Sequence, residues 1–299
     1  MCSVRTRQID RLFDMTGALV QKWRWLQHQP AYRRAPLRVL LRLLAWRMRC
    51  WAGRPAVVAL PTFGVQLWLP PQWRGVAKLI YAFREDYELE LRYLWNGLQP
   101  GDAMVDVGAS FGIYSLAAAS RVGPAGCVLA FEAARAAYES LCRNVELNGC
   151  AWLYPFHLAL ADRRGTATLY HHADPSRNSL APNAGRSQEQ VPVATLDEVL
   201  DTIDIPNRIT TVKIDVEGAE ALVLQGAQQT IARFRPVIVV EMNPSAAQRL
   251  GIDANAAWRL LEDCGYRFYA VAEDGSIRQL TTPPPGGNVL ALPHERNVR

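Results

Sequence analysis

Four carboxylates in this chain each end or follow an apolar run: Asp106 in VDVG, Glu132 in CVLAFE, Asp215 in KIDVEG and Glu241 in VIVVEM. Acids at the ends of neighbouring parallel strands converge, because ligands of such sheets sit beyond the carboxyl ends of the strands. Asp106 is followed by Gly108 and Gly112 in a turn that runs straight into the small-residue helix IYSLAAAS. Glycine lets the backbone turn tightly there, which is expected to set free helix N–H groups and the Asp106 carboxylate around one pocket. The two glycines are four apart and an acid stands before them, whereas a dinucleotide fingerprint reads G-x-G-x-x-G to press backbone against a pyrophosphate. A carboxylate repels pyrophosphate and suits a ligand with a cationic amino group. S-adenosylmethionine carries an ammonium and a sulfonium and no phosphate, so it is the expected cofactor, held by Asp106, Gly108, Ser110 and Gly112.

Glu132 lies 24 residues beyond Gly108, at the end of a second strand, where an acid accepts both ribose hydroxyls. Asp162, after a third strand from Trp152 to Leu160, either meets the adenine amino group or is a turn residue before Arg163-Arg164-Gly165. In TVKIDVEGAE, Asp215, Glu217 and Glu220 crowd one turn after a strand, and Lys213 is one of three lysines among 33 basic residues. Crowding raises the pKa of at least one acid, and the lysine keeps another ionised. Such a cluster suits proton abstraction from an alcohol, with Asp215, Glu217 and Glu241 as candidate bases, Asp215 or Glu217 foremost, and Lys213 beside them. Two of the acids binding magnesium is the alternative; no metal site is assigned.

Strands must deliver these acids, and the pattern supplies them as an α/β unit. A helix through Leu141–Leu147 stops at Asn148-Gly149, and a second, after Gly218, is marked by Leu224, Ala227, Ile231 and Phe234. TATLY and QVPVATL read as short strands around a polar loop with His171, His172, Pro175, Asn178, Ser179 and Asn183, a substrate loop or a plain surface insertion. His157, inside an apolar strand, reads as a packed histidine. Upstream, a hairpin is expected over Val57–Leu69 and a helix over Lys78–Leu98, with Tyr87-Glu88 either ordinary helix residues or groups over the cofactor pocket.

The charge is uneven. The net +5 of 299 residues conceals residues 1–54, where twelve Lys and Arg face two Asp, leaving −5 for the rest. Ile9, Leu12, Phe13, Leu19, Val20 and Trp23 repeat at helical spacing, as do Leu37, Leu40, Leu41, Leu44, Met48 and Trp51, with Arg38, Arg42 and Arg49 set opposite the second stripe. The stripes are expected to cover the catalytic domain or a second subunit, with an interfacial membrane helix as the alternative. Residues 1–55 thus form a basic helical extension, 56–100 lead-in strands and helix, and 101–299 the cofactor-binding domain. Six cysteines without a C-x-x-C pair, no apolar run of membrane-spanning length and no secretory pattern favour a reduced, cytoplasmic setting, with peripheral contact at the inner membrane surface left open.

DVGASFG, FE at 131–132, NVELNG, TLDE, KIDVEGAE and VIVVEMNP, in this order, resemble the FkbM-type S-adenosylmethionine-dependent methyltransferases from about Gly101 to Leu292. The resemblance implies a class I, Rossmann-like sheet of seven mostly parallel strands with an antiparallel last strand, its final hairpin formed by Tyr266–Ala272 and Asn288–Leu292. It also implies O-methylation of small molecules, often sugars or polyketide-like products. The family commonly has Asn where Ser110 stands and Pro-Asn where Ala133-Ala134 stand. Two other functions compete: a nucleic-acid methyltransferase, disfavoured by the −5 of the core, and a scaffold that binds the cofactor without chemistry, disfavoured by the intact acids.

Overall fold

A computed structural model describes residues 21–181, 187–203 and 208–296. Ile9, Leu12, Phe13, Leu19 and Val20 of the first amphipathic repeat, and Asn183 of the polar loop, lie outside the described residues. The strands are β1 (Ala56–Leu60), β2 (Val65–Leu69), β3 (Ala103–Val107), β4 (Cys127–Glu132), β5 (Leu153–His157), β6 (Ala159–Leu160), β7 (Gly165–Tyr170), β8 (Gln188–Ala194), β9 (Ile209–Ile214), β10 (Val237–Met242), β11 (Tyr266–Val271), β12 (Ile277–Leu280) and β13 (Gly287–Pro293). The main sheet runs β12-β11-β13-β10-β9-β3-β4-β5. Strands β5, β4, β3, β9 and β10 pair in parallel, and β13 is antiparallel to both β10 and β11.

The seven expected strands are therefore present, the last of them antiparallel. The eighth, β12, pairs antiparallel with β11 at the sheet edge, so β11 and β13 are neighbours without being joined by one turn. Its sequence, IRQL, is too polar for a central strand, and an edge strand needs no second buried face. Both faces of the parallel strands are covered. Met104, Val128, Ala130 and Val239 pack with the helices Ile113–Val122 and Arg135–Asn148, while Val105, Leu129, Val212 and Val240 face Leu224, Ile231 and Trp258 on the opposite side.

Register explains why the acids meet. Asp106 of β3 stands opposite Lys213 of β9, and Lys213 opposite Val239 of β10. Two residues further along the same face come Asp215 and Glu241, and adjacent strands lie only about 4.8 Å apart. The chain leaves β3 for β4 and β5 on one side and returns at β9 on the other, so the gap between β3 and β9 is the topological switch point.

The helix expected over Lys78–Leu98 is two helices, Val76–Phe83 and Leu89–Gly97, joined by a short turn over Arg84–Asp86. Arg84 takes a positive φ (59°) with ψ −123°, outside the helical region, which ends the first helix, and its guanidinium sits 4.6 Å from the Tyr81 ring centre. Tyr87 and Glu88 fall in this break.

Two motifs prove structural. Thr195 and Glu198 of TLDE form a reciprocal capping box, and Asp197 accepts from the Gln229 and Thr230 N–H groups at the start of the helix Gln228–Phe234. In NVELNG, Asn144 and Asn148 lie one turn apart and act on the free edge of β2. Asn144 Oδ1 accepts from Trp68 N–H (2.6 Å) while its Nδ2 donates to the carbonyls of Trp68 (3.1 Å) and Phe111 (2.9 Å). Asn148 does the same with Gln66 at 2.8 and 2.7 Å. Asn144→Ala leaves buried backbone groups unpaired, so it is expected to destabilise by about 3 kcal/mol. The more exposed Asn148→Ala should cost less, and paired thermal melts check the order.

Candidate active site

A cavity of about 570 Å³ opens beyond the carboxyl ends of the strands at the switch point, a size suited to a drug-sized ligand. Gly108 and Ser110, Glu132, Asp215 to Glu217, Glu241 and Glu88 line it. His171, His172, Pro175 and Asn178 of the polar loop complete the wall. Five carboxylates therefore face this space, and the described lining contains no lysine or arginine.

The first turn is held by its own backbone. The N–H groups of Gly108 and Ala109 both donate to the Phe131 carbonyl at 2.9 Å, and Ser110 N–H donates to Glu132 Oε2 at 2.8 Å. These three N–H groups, which precede the helix Ile113–Val122, are therefore spent on the second strand. A Cβ on Gly108 would lie 1.8 Å from the Asp215 carbonyl oxygen, so only glycine allows β3 and β9 to approach this closely. Gly112 is similarly tight, 2.5 Å from Leu141, and does not line the cavity. Ser110 sits in the left-handed region (φ 52°), which Asn tolerates better than Ser.

Asp106 also departs from expectation. It is fully buried and lies behind the wall, not in it. Its Oδ2 accepts from Ser115 Oγ at 2.5 Å in the first turn of the helix Ile113–Val122, while Oδ1 has no protein partner. Burial raises its pKa, against the pull of the Lys213 ammonium and the Ser115 hydrogen bond. Lys213 lies behind the wall too, with Nζ 3.0 Å from Asp215 Oδ2 and 4.9 Å from the Tyr114 ring centre. Burial opposes its charge, yet Asp215, Asp106 and Glu88 together hold it well above the ordinary lysine value.

The cavity-lining acids have separate proton affinities. Burial opposes the Asp215 charge, but Lys213 and a hydrogen bond with Glu241 keep this carboxyl below its ordinary value. Burial and the adjacent Asp215 charge push Glu241 up to about 10, so at neutral pH Glu241 holds the proton between them. Glu217, also left-handed (φ 53°), is raised by burial and by Asp215 to about 7, with its Oε2 accepting from Asn243 Nδ2 at 2.7 Å. Glu132 is raised by burial to about 7 although it accepts from the Ser110 and Ala134 N–H groups. One oxygen from each of Asp215, Glu217 and Glu241 lies within 4.8 Å of the other two.

Glu88, in the helix break, lines the cavity together with Tyr87, the second of the two readings given for this pair. Its Oε2 accepts from Tyr114 OH at 2.5 Å and from Asn288 Nδ2 at 3.2 Å. Burial raises its pKa, partly offset by Lys213. Tyr114 and Asn288 escaped sequence reasoning, although each is a polar residue in an otherwise apolar segment, a signal that was available. Asp162 stands outside the wall, its carboxylate 3.8 Å from the Arg163 guanidinium, as a turn residue would be. His157 packs against the Tyr138 ring, 5.0 Å between centres.

A wall of carboxyl groups with no Lys or Arg in its described lining fits a cationic ligand. A model of the methyltransferase FkbM domain matches residues 106–268. Methyltransferase 1 of Beauveria bassiana (strain ARSEF 2860) is 30% identical over 221 residues, which span 66% of this chain and 83% of that protein. Methyltransferase sdnD of Sordaria araneosa is 29% identical over 195 residues, spanning 54% of this chain and 73% of that one. Among solved structures, methyltransferase FkbM from Methylobacillus flagellatus KT is 16% identical with a TM-score of 0.41, covering 88% of this chain, which spans 60% of that protein. With more than half of its length matched by that domain, the chain belongs to the FkbM family of S-adenosylmethionine-dependent methyltransferases.

Proposed function

We propose that this methyltransferase acts on a hydroxyl group of a neutral small molecule or glycan, such as a sugar or a polyketide-like acceptor, with Glu217 as the base. The observation that carries the reading is the cavity wall, with five carboxyl groups, no Lys or Arg in its described lining, and Glu217 poised near neutrality beside Asp215. S-adenosylmethionine supplies a methyl group on a sulfonium when bound. Residues that would hold it are Gly108, Ser110 and Glu132 along the first turn and Glu88 opposite, the last replacing Asp106 as the partner of an ammonium. An alcohol is a weak nucleophile until its proton leaves, and the most effective base has a pKa near the working pH. Glu217 meets that condition, while Asp215 is held too acidic and Glu241 is already protonated. The alcohol proton therefore passes to Glu217, and the Asn243 amide fixes the carboxylate that receives it. The loop residues His171, His172 and Asn178 supply polar contacts for a hydroxylated acceptor.

Phosphate-rich acceptors fit poorly, since the described lining has no Lys or Arg to meet them, which disfavours nucleic acid. The positive charge that a divalent ion would bring beside Asp215 is already supplied by Lys213 at 3.0 Å. Incubation with methyl-labelled S-adenosylmethionine and fractionated hydroxylated metabolites tests the reading. Label in an ether product supports it, and label confined to nucleic acid or absent from every fraction refutes it.

The rate should rise with pH through about 7 and then level, because the base must lose its proton. Glu217→Gln should remove that limb and lower kcat by about 10²- to 10⁴-fold, whereas a chelator should leave wild-type turnover intact. Glu88→Gln should weaken S-adenosylmethionine binding by about tenfold, the equivalent of one charge-assisted contact, with Glu90→Gln nearly silent by calorimetry. Ser110→Asn should raise the melting temperature, with a gain of up to about 1 kcal/mol from easing the left-handed backbone, and should not weaken donor binding.

A further inference from the structure

We infer that the helix Pro36–Trp51 is an interfacial anchor that lies on an anionic lipid surface. The helix has two apolar faces. Val39 and Trp46 are buried, packed with Leu43 and Cys50 against the protein beneath. At 3.6 residues per turn, Leu37, Leu40, Leu41, Leu44, Met48 and Trp51 fall within an arc of about 100° on the opposite side. All six are exposed, from 37% at Leu40 to 85% at Trp51. The expectation that this stripe covers the catalytic domain is thus overturned, because the domain is covered by the other face. Arg38, Arg49 and Arg42 lie about 110° to 150° round the helix from the centre of the stripe, towards its opposite side, and Arg47 lies about 70° from it on the other flank.

Charge decides what the stripe meets. Residues 15–84 contain twelve Lys and Arg and not one Asp or Glu. Arg33 and Arg34 pair with Glu273 and Asp86, but Arg38, Arg42, Arg47, Arg49 and Arg54 make no ion pair among the described residues. A narrow apolar stripe bordered by unpaired arginines matches acyl chains below and anionic headgroups around them. Trp51 at one end of the stripe suits the level where chains meet headgroups. A second copy of this chain is a poor occupant, since it would bring the same acid-free basic layer against this one. The location is also fitting. The stripe's helix contacts the helix Val76–Phe83, donating from Arg42 Nη1 to the Ala82 carbonyl at 3.1 Å, and Val76, Leu79 and Phe83 of that second helix line the cavity. No helix among the described residues is long and apolar enough to cross a membrane, so the contact is a surface one.

Flotation of the full-length protein with vesicles of phosphatidylglycerol and phosphatidylcholine, and with phosphatidylcholine alone, tests the anchor. The protein should float with the anionic vesicles, and less so as salt rises. Leu41→Glu with Leu44→Glu should cut partitioning by at least about tenfold, since each buried leucine contributes on the order of 1.5 kcal/mol. Arg38→Gln with Arg49→Gln should weaken binding and flatten its salt dependence. Both leucines are exposed, so melting temperature and donor binding should not change. Failure of the wild type to float, or flotation that survives both glutamates, overturns the proposal. So does a dimer that those glutamates dissolve without any vesicle binding, which assigns the stripe to a second copy. A melting temperature lowered by the glutamates, again without vesicle binding, assigns it to residues 1–20 of this chain.

Discussion

The Lys213 ammonium is the only cationic side chain fully enclosed among the described residues, and the charges around the cavity are arranged on it. A buried carboxylate without a counter-ion would take up a proton, because burial penalises the charged form. Strand register places Lys213 beside Asp106 and one same-face step behind Asp215, so one ammonium faces acids from two strands at once. Tyr114 lies over it and reaches on to Glu88, which ties the helix break to the same point. An arginine here would need room for a planar fork and its five donors, whereas lysine delivers a compact charge at the end of an apolar stem. That is a physical reason for one of only three lysines in an arginine-rich chain to stand in this strand.

From this one charge follows a division of labour among similar side chains. Asp215, in contact with the ammonium, stays ionised. Glu241, in contact with Asp215, keeps its proton, and Glu217, further out, titrates near neutrality. The arrangement costs stability. Glu132 and Glu217 hold protons in the fold at pH values where the unfolded chain has released them, so stability declines as pH rises from the ordinary carboxyl range through about 7.

Much of this could be read from the chain. Buried strands ending in Asp106, Glu132, Asp215 and Glu241 set the sheet order, and Gly108 marked the close approach of two strands. What escaped has identifiable causes. Asp106 looked like a ligand contact because a sequence shows that an acid is at a strand end, not that a helix serine will claim its oxygen. Glu88 could be read either as a helix residue or as a group over the pocket, because the pattern runs unbroken through Arg84, where a positive φ at a residue other than glycine leaves no compositional mark. Asn144, Asn148 and Asp197 belonged to motifs that carried the family resemblance, and each satisfies backbone groups. The stripe from Leu37 to Trp51 was visible as periodicity, but periodicity cannot say which of two apolar faces a protein will keep for itself.

The acid-lined wall bears on turnover as well as on binding. Methyl transfer converts a sulfonium into a neutral thioether, so the spent donor leaves the reaction with one positive charge fewer than it brought. In the site proposed for the donor, the ionised Asp215 attracts the sulfonium more strongly than its neutral remnant. That difference in charge favours exchange of the spent donor for a fresh one.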